Sequence, residues 1–369
     1  MTASGIDTSL VVTTYRRPRH LELVLASIAA QTGVPRDFEV VVSDDGSEDE
    51  TADVVGRFAG AADFPVFFTT QPHAGFRLSR VRNNGARLAR GRYLLFVDGD
   101  CVLPGHHLAA HRRRRRPAAA LLGFCARLSE ATSRPLVESG LGSVDLGGLV
   151  GPTEAGLLRR RHRRARWHSV IRHPTKPRLA GGDFGLWRGD FERVNGFDER
   201  FEGWGQEDDD LGLRLRAAGV RLESILDATC SLHVWHPTDP TATTRWRDGV
   251  NVGYFERRGR LTACRRGLVR RELGDLLWGL PPDSGSSRLG RRLEEVLDGC
   301  PIAPGAAACE VAVAIGTSGR GLGRESECRL LVISDGTAPR GRVAATADRT
   351  VAIAADDPAT LRAVLDDVG

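Results

Sequence analysis

Three short apolar, β-branched segments near the amino terminus each run directly into polar or acidic residues. Ser9 to Thr14 is the first, Phe38 to Ser43 leads into Asp44-Asp45-Gly46-Ser47, and Arg92 to Val97 leads into Asp98-Gly99-Asp100. Between them His20 to Gln31 carries Leu21, Val24, Leu25 and Ile28 at helical spacing, and Asp49 to Phe58 and Ser79 to Ala89 repeat the pattern around a strand at Pro65 to Thr69. Alternation of this kind builds a parallel, doubly wound α/β sheet, whose ligands bind beyond the carboxyl ends of the strands. The acidic clusters fall at those ends.

A second constraint is Gly203-Trp204-Gly205-Gln206-Glu207-Asp208-Asp209-Asp210. Four adjacent carboxylates repel one another, so a folded chain keeps them where a helix N-terminus, a cation or a substrate compensates the charge. Leu211, Leu215 and Ala218 follow at helical spacing, Arg214 and Arg216 come after the acids, and Gly219 is placed to end the helix. Taken alone, the acids fit a solvated first turn as well as a reactive one. The same duality holds upstream: Asp98 and Asp100 suit either a strand-end turn or a cation site, and Asp44 and Asp45 either an Asx turn or acceptors for a uracil imide.

Composition narrows the setting. The 369 residues are 41% hydrophobic, enough for a substantial core and for two domains or one domain with an appendage. No apolar run approaches a membrane span and Met1 to Tyr15 has no signal pattern, so the chain reads as cytoplasmic. Seven cysteines without CxxC spacing argue against a disulfide framework or a zinc site. The net charge of +5 hides segregation, with arginines concentrated at 112–116 and 159–178 and acids at 44–50 and 207–210. Such segregation suits a nucleotide, a phosphorylated acceptor, a peripheral membrane contact or a nucleic acid, although no nucleic-acid motif is present and no nucleic-acid partner is expected. The run Arg112 to Arg116 reads as a solvated helix face.

Thr13-Thr14-Tyr15-Arg16-Arg17-Pro18, Ser43 to Ser47, Arg82-Asn83-Asn84-Gly85 through Gly91, and Phe96-Val97-Asp98-Gly99-Asp100 together resemble family 2 glycosyltransferases of the GT-A fold. Gly181-Gly182-Asp183-Phe184-Gly185-Leu186-Trp187, then Val194 to Asp198 and Gly203 to Asp210, resemble the acceptor-side half of β-1,4-galactosyltransferases and bacterial chondroitin polymerase-type enzymes. The resemblance implies a doubly wound, Rossmann-like mixed sheet. It implies a metal-dependent, inverting transferase that uses a nucleotide sugar, a UDP-sugar first, with Mn2+ or Mg2+ and a glycan, natural-product or peptide acceptor.

Residue by residue, the resemblance gives Asp208 as catalytic base and Glu207 beside it. Thr13, Thr14, Tyr15, Arg17, Asp44, Asp45, Arg82, Asn83, Asp98, Gly99, Gly181 and Gly182 fall to the nucleotide sugar, and Trp204, Asp183 and Asp209 to the acceptor. Asp100 is the expected direct metal ligand, with Asp98 nearer the ribose or the metal's waters. His233 or His236 would complete the set; their spacing of three puts them on opposite faces of an extended segment, which favours one of them, His233. Leu157 to Arg178 corresponds to a mobile loop.

The glycosyltransferase domain is expected over 1–278, with a donor half to about 125, an acceptor half to about 245 and a helical tail. Pro281 to Ser287 then reads as a linker, and 279–369 as a small α/β appendage with strands at Glu310 to Ile315, Arg329 to Ser334 and Thr350 to Ala354. Two rival readings remain: a nucleotidyltransferase, which should carry a glycine- and lysine-rich phosphate loop that is absent, and a sugar- or nucleic-acid-binding module, which would not need both acidic elements.

Overall fold

The computed structural model describes residues 5–142, 144–237, 246–303, 308–316, 326–334, 346–353 and 358–368. Ala354, the expected end of the last strand, lies outside them.

The chain divides into two compact units, 1–252 and 253–369. In the first, β1 (Thr8–Thr14), β2 (Phe38–Asp44), β3 (Val66–Thr70) and β4 (Tyr93–Asp98) alternate with α1 (Pro18–Ala29), α2 (Thr51–Ala61) and α3 (Leu78–Leu88). They sit within two residues or so of the sequence expectation. Beyond them come β5 (Cys101–Val102), α4 (His107–Arg114), β6 (Ala119–Leu122), β7 (Cys125–Arg127), α5 (Glu130–Ser139), α6 (Pro152–Val170), β8 (Asp183–Trp187), α7 (Arg188–Arg193), α8 (Glu207–Ala217), β9 (Arg221–Ser224) and β10 (Ser231–His233). A seven-stranded sheet has the order β3-β2-β1-β4-β8-β6-β9, and a smaller one the order β5-β10-β7. The first four strands are parallel, whereas β8 runs antiparallel to both β4 and β6, so the sheet is mixed.

That register positions the site. Pairing of β4 with β8 sets Val97 opposite Asp183, and the Asp98 N–H donates to the Gly182 carbonyl at 3.2 Å. The carboxyl end of β4 thus meets the segment that enters β8. The small sheet brings His233 opposite Cys101, next to Asp100. Leu10, Val12, Val40, Val42, Leu95 and Val97 are buried with Leu21, Val24, Leu25 and Ile28 of α1, the burial that drives the layers together.

Four expectations are corrected. Residues 157–170 are not a mobile loop but part of helix α6, held to β9 by Ser169 Oγ donating to the Leu222 carbonyl at 2.8 Å. Arg115 is not solvated; its guanidinium forks onto the Asp7 carboxylate at 2.7 and 2.9 Å. The stretch 246–278 is not one helical tail: Val250–Phe255 is helical, but Leu273–Asp275 is a 3-10 turn and Trp278–Gly279 a strand. The unit boundary falls at 252/253 and not at 278/279, because Leu261, Leu273, Leu276 and Trp278 pack in one core with Leu289, Val311, Leu330 and Leu361.

The second unit is built on a parallel sheet of Trp278–Gly279, Val311–Ile315, Cys328–Ser334 and Arg349–Ile353. The expected linker is folded into it, with Ser284 buried and its hydroxyl on Glu294.

A chain cut after Asp283 should therefore aggregate, since Trp278 and its neighbours lose their core partners. A chain cut after Glu256 should stay soluble, and cooperative thermal melting with low light scattering for that shorter chain alone is the expected result.

Candidate active site

Two networks meet at the carboxyl end of β4. In the first, Arg82 of α3 is buried and donates through Nη2 to Asp98 Oδ1 at 3.1 Å and through Nη1 to Asp208 Oδ1 at 2.6 Å. Thr13 Oγ1 adds a bond to the same Asp98 oxygen at 3.1 Å, and the Gly181 N–H donates to Asp208 Oδ2 at 2.9 Å. A Cβ on Gly181 would stand 2.2 Å from Arg82 Nη2 and 2.6 Å from Asp208 Oδ1, so only glycine allows this approach.

The second network centres on Asp100. Its Oδ2 lies 3.2 Å from His236 Nε2 and 3.1 Å from Arg17 Nη1, and its Oδ1 lies 3.7 Å from His233 Nε2. One ligand atom from each of Asp100, His233 and His236 falls within 4.8 Å of the others, a carboxylate–imidazole set suited to Mn2+ or a similar divalent cation. Both histidines converge, where the extended-strand argument favoured His233 alone. The reason is that β10 ends at His233, so the alternation that would have turned His236 away no longer applies.

Against the cost of burial, the bond from His236 and the charges of His233 and Arg17 hold the Asp100 carboxyl down at about 2. Burial also depresses His233, against the pull of Asp100, and so favours the neutral imidazole that binds metal. Asp98 moves the opposite way: burial raises it, Arg82 opposes, and the charges of Asp100 and Asp208 add to the rise.

The acidic stretch opens α8. Gln206 precedes it at φ 72°, turning the chain so that Glu207 and Asp209 are buried while Asp208 keeps a partly open face. Burial, then the charge of Asp208, pushes the Glu207 carboxyl up to about 8. Its Oε2 has no hydrogen-bond partner among the described residues. Asp209 is raised to about 6 by burial, with Arg178 Nη1 opposing at 3.3 Å. Asp210 turns inward and accepts from Arg214 Nε at 2.7 Å.

Comparison with known proteins gives the same reading. Residues 9–114 match the model described as glycosyl transferase family 2, and residues 162–236 match the one described as the N-terminal domain of galactosyltransferase. Residues 9–114 thus resemble a family 2 glycosyltransferase domain. The resemblance drawn from the motifs is borne out.

The chain is 38% identical over 234 residues to validoxylamine A glucosyltransferase of Streptomyces hygroscopicus subsp. limoneus, covering 58% of this chain and 48% of that protein. It is 25% identical over 250 residues to chondroitin synthase of Escherichia coli, covering 64% of this chain and 36% of that one. It therefore spans about half the length, or less, of these curated relatives. Among solved structures, it resembles a mannosyltransferase from Pyrobaculum calidifontis in complex with GDP-Man and Mn2+, at 20% identity and a TM-score of 0.47 over 66% of this chain and 61% of that one. Among the described residues, no helix is long and apolar enough to cross a membrane.

Several of the expected ligand residues are otherwise engaged. Asp44 is spent on an Asx turn, accepting from the Gly46 and Ser47 N–H groups at 3.0 and 2.8 Å and from Thr70 Oγ1 at 2.8 Å. Asp45 accepts from Gln71 Nε2 at 2.6 Å. Asn83 is fully buried and closes two bonds of 2.9 Å with the Phe197 backbone, so it braces the loop before α8 instead of facing a nucleotide. Arg82 likewise spends its guanidinium on Asp98 and Asp208. Asp98 stands outside the three-ligand group, held by Thr13 and Arg82. Asp183 is completely buried between His107 and His111 and is not available to an acceptor.

Thr14 and Gly99 shape the turn: the Gly99 N–H donates to the Thr13 carbonyl at 2.7 Å, and the Thr14 carbonyl accepts from Asp45 at 3.1 Å. Gly182 supplies the carbonyl that holds Asp98. Sequence reasoning missed His73, stacked on Tyr15 at 4.4 Å, and Trp246, which packs edge-on at 5.8 Å against the half-exposed Trp204. Neither lies in a motif; each is identified only by its ring contact.

Glu207 gives a stability prediction. Between about 4.5, its ordinary value, and 8 the native state keeps a proton that the unfolded chain has lost, so stability falls as pH rises through that window. Glu207→Gln should flatten this slope, read as urea midpoints from pH 5 to 8.5.

Proposed function

We propose that this protein is a metal-dependent, inverting glycosyltransferase that moves a hexosyl group, glucosyl first, from a UDP-sugar to a hydroxyl of a polyhydroxylated acceptor. The observation that carries this reading is the convergence of two acidic elements, Asp98 after β4 and Asp208 on α8, around one buried arginine, with Asp100 two residues on beside His233, His236 and Arg17. The identity to a validoxylamine glucosyltransferase favours a small natural-product acceptor over a peptide or a polymeric glycan.

Asp100, His233 and His236 would hold the cation, which supplies charge stabilisation to the departing diphosphate. Asp98 faces the same space and would orient the ribose or the cation's waters. Trp204 and Trp246 offer apolar ring surface to the acceptor sugar or cyclitol. Asp208 takes the proton from the attacking hydroxyl. Its two oxygens each accept one bond here, from Arg82 and Gly181, and each retains a lone pair for that proton. Glu207, kept protonated at neutral pH, is the complementary partner: it donates a hydrogen bond where Asp208 accepts a proton. With one base and direct attack, the anomeric configuration inverts.

Asp208→Asn preserves shape but cannot accept the proton, so transfer should fall by roughly 10²- to 10⁴-fold with donor affinity nearly unchanged. Steady-state rates and calorimetric UDP affinity measured on the same preparation check both halves, and full turnover in the variant would remove Asp208 from the reaction.

Asp100→Ala should abolish manganese-dependent UDP binding while leaving the circular dichroism spectrum intact. A donor screen that releases pyrophosphate in place of UDP would favour a nucleotidyltransferase.

A further inference from the structure

The buried histidines beside Asp183 take no part in the proposed transfer. His107 and His111 lie one turn apart on α4, and Asp183 opens β8. All three side chains are buried, with Asp183 Oδ1 at 3.3 Å from His107 Nε2 and 3.7 Å from His111 Nε2. Neither Nε2 and neither carboxylate oxygen has a properly oriented hydrogen-bond partner among the described residues. A buried carboxylate facing two imidazole nitrogens needs a shared cation, either a proton on one of the rings or a metal ion between them.

We propose that His107, His111 and Asp183 form a structural zinc site, separate from the Asp100 cation site. Ligand atoms around a tetrahedral zinc at about 2.0–2.1 Å stand about 3.3 Å apart, close to the separations here. One ligand atom from each residue already lies within 4.8 Å of the others. The outer side of each ring is also prepared: His107 Nδ1 faces Thr229 Oγ1 at 2.9 Å and His111 Nδ1 faces the Tyr93 hydroxyl at 3.3 Å. A proton carried on each Nδ1 leaves Nε2 as a lone pair aimed at the cation, the arrangement that second-shell partners impose on zinc-binding histidines. A water would close the shell.

The site would clip α4 to β8 directly behind Gly182, whose carbonyl holds the Asp98 backbone. Its role is thus to fix the donor-side framework and not to touch substrate.

Full-length protein produced with zinc in the medium and dialysed against a mild chelator should retain about one zinc per chain by mass spectrometry, as should Asp100→Ala. In the Asp100→Ala background, His111→Gln and Asp183→Asn should each retain almost none. Should those variants fail to fold, cobalt loading of the wild type and of Asp100→Ala decides the matter: intense visible bands of tetrahedral cobalt in both support the site. Wild-type protein without retained metal, or a cobalt spectrum lost in Asp100→Ala, overturns it.

Discussion

The buried guanidinium of Arg82 is the interaction on which the site depends. A charge removed from water costs several kcal/mol unless it is paired and hydrogen-bonded. Here Asp98 and Asp208 supply the counter-charges, and the Phe197 ring lies 5.1 Å below the guanidinium carbon. Three separate segments, α3, the end of β4 and the start of α8, are thereby tied to one point. Asp98 and the acidic helix start cannot separate without stranding a charge.

Around that point the acids differ in what they can do. Asp100, beside two histidines and Arg17, stays ionised and suits a cation. Glu207, shut away from water behind Asp208, keeps its proton near neutrality. Asp210 is neutralised by Arg214 inside the helix. Four consecutive carboxylates are tolerable because arginines compensate two of them, Arg82 at Asp208 and Arg214 at Asp210, while burial raises the other two, Glu207 and Asp209.

A second polar centre, His107 with His111 and Asp183, sits in the core behind the donor framework. It lies close to the candidate site: Asp183 follows Gly182 directly, yet its side chain is buried against the two histidines while the Gly182 carbonyl holds Asp98.

What the sequence by itself determined was the alternation of strands and helices, the placement of acids at strand ends, and the motifs that match family 2 glycosyltransferases from residue 9 to 114. Those are local properties of periodicity and turn chemistry, and they were legible for that reason. Tertiary structure alone decided which polar side chains gather at the end of β4 and which are spent elsewhere. Asp44 closes its own turn, Asn83 braces the Phe197 loop, Asp183 meets two histidines from a helix some seventy residues earlier, and Trp278 joins the second unit's core. Each outcome depends on a partner distant in sequence, and a carboxylate or amide read in isolation carries no record of which partner satisfies it.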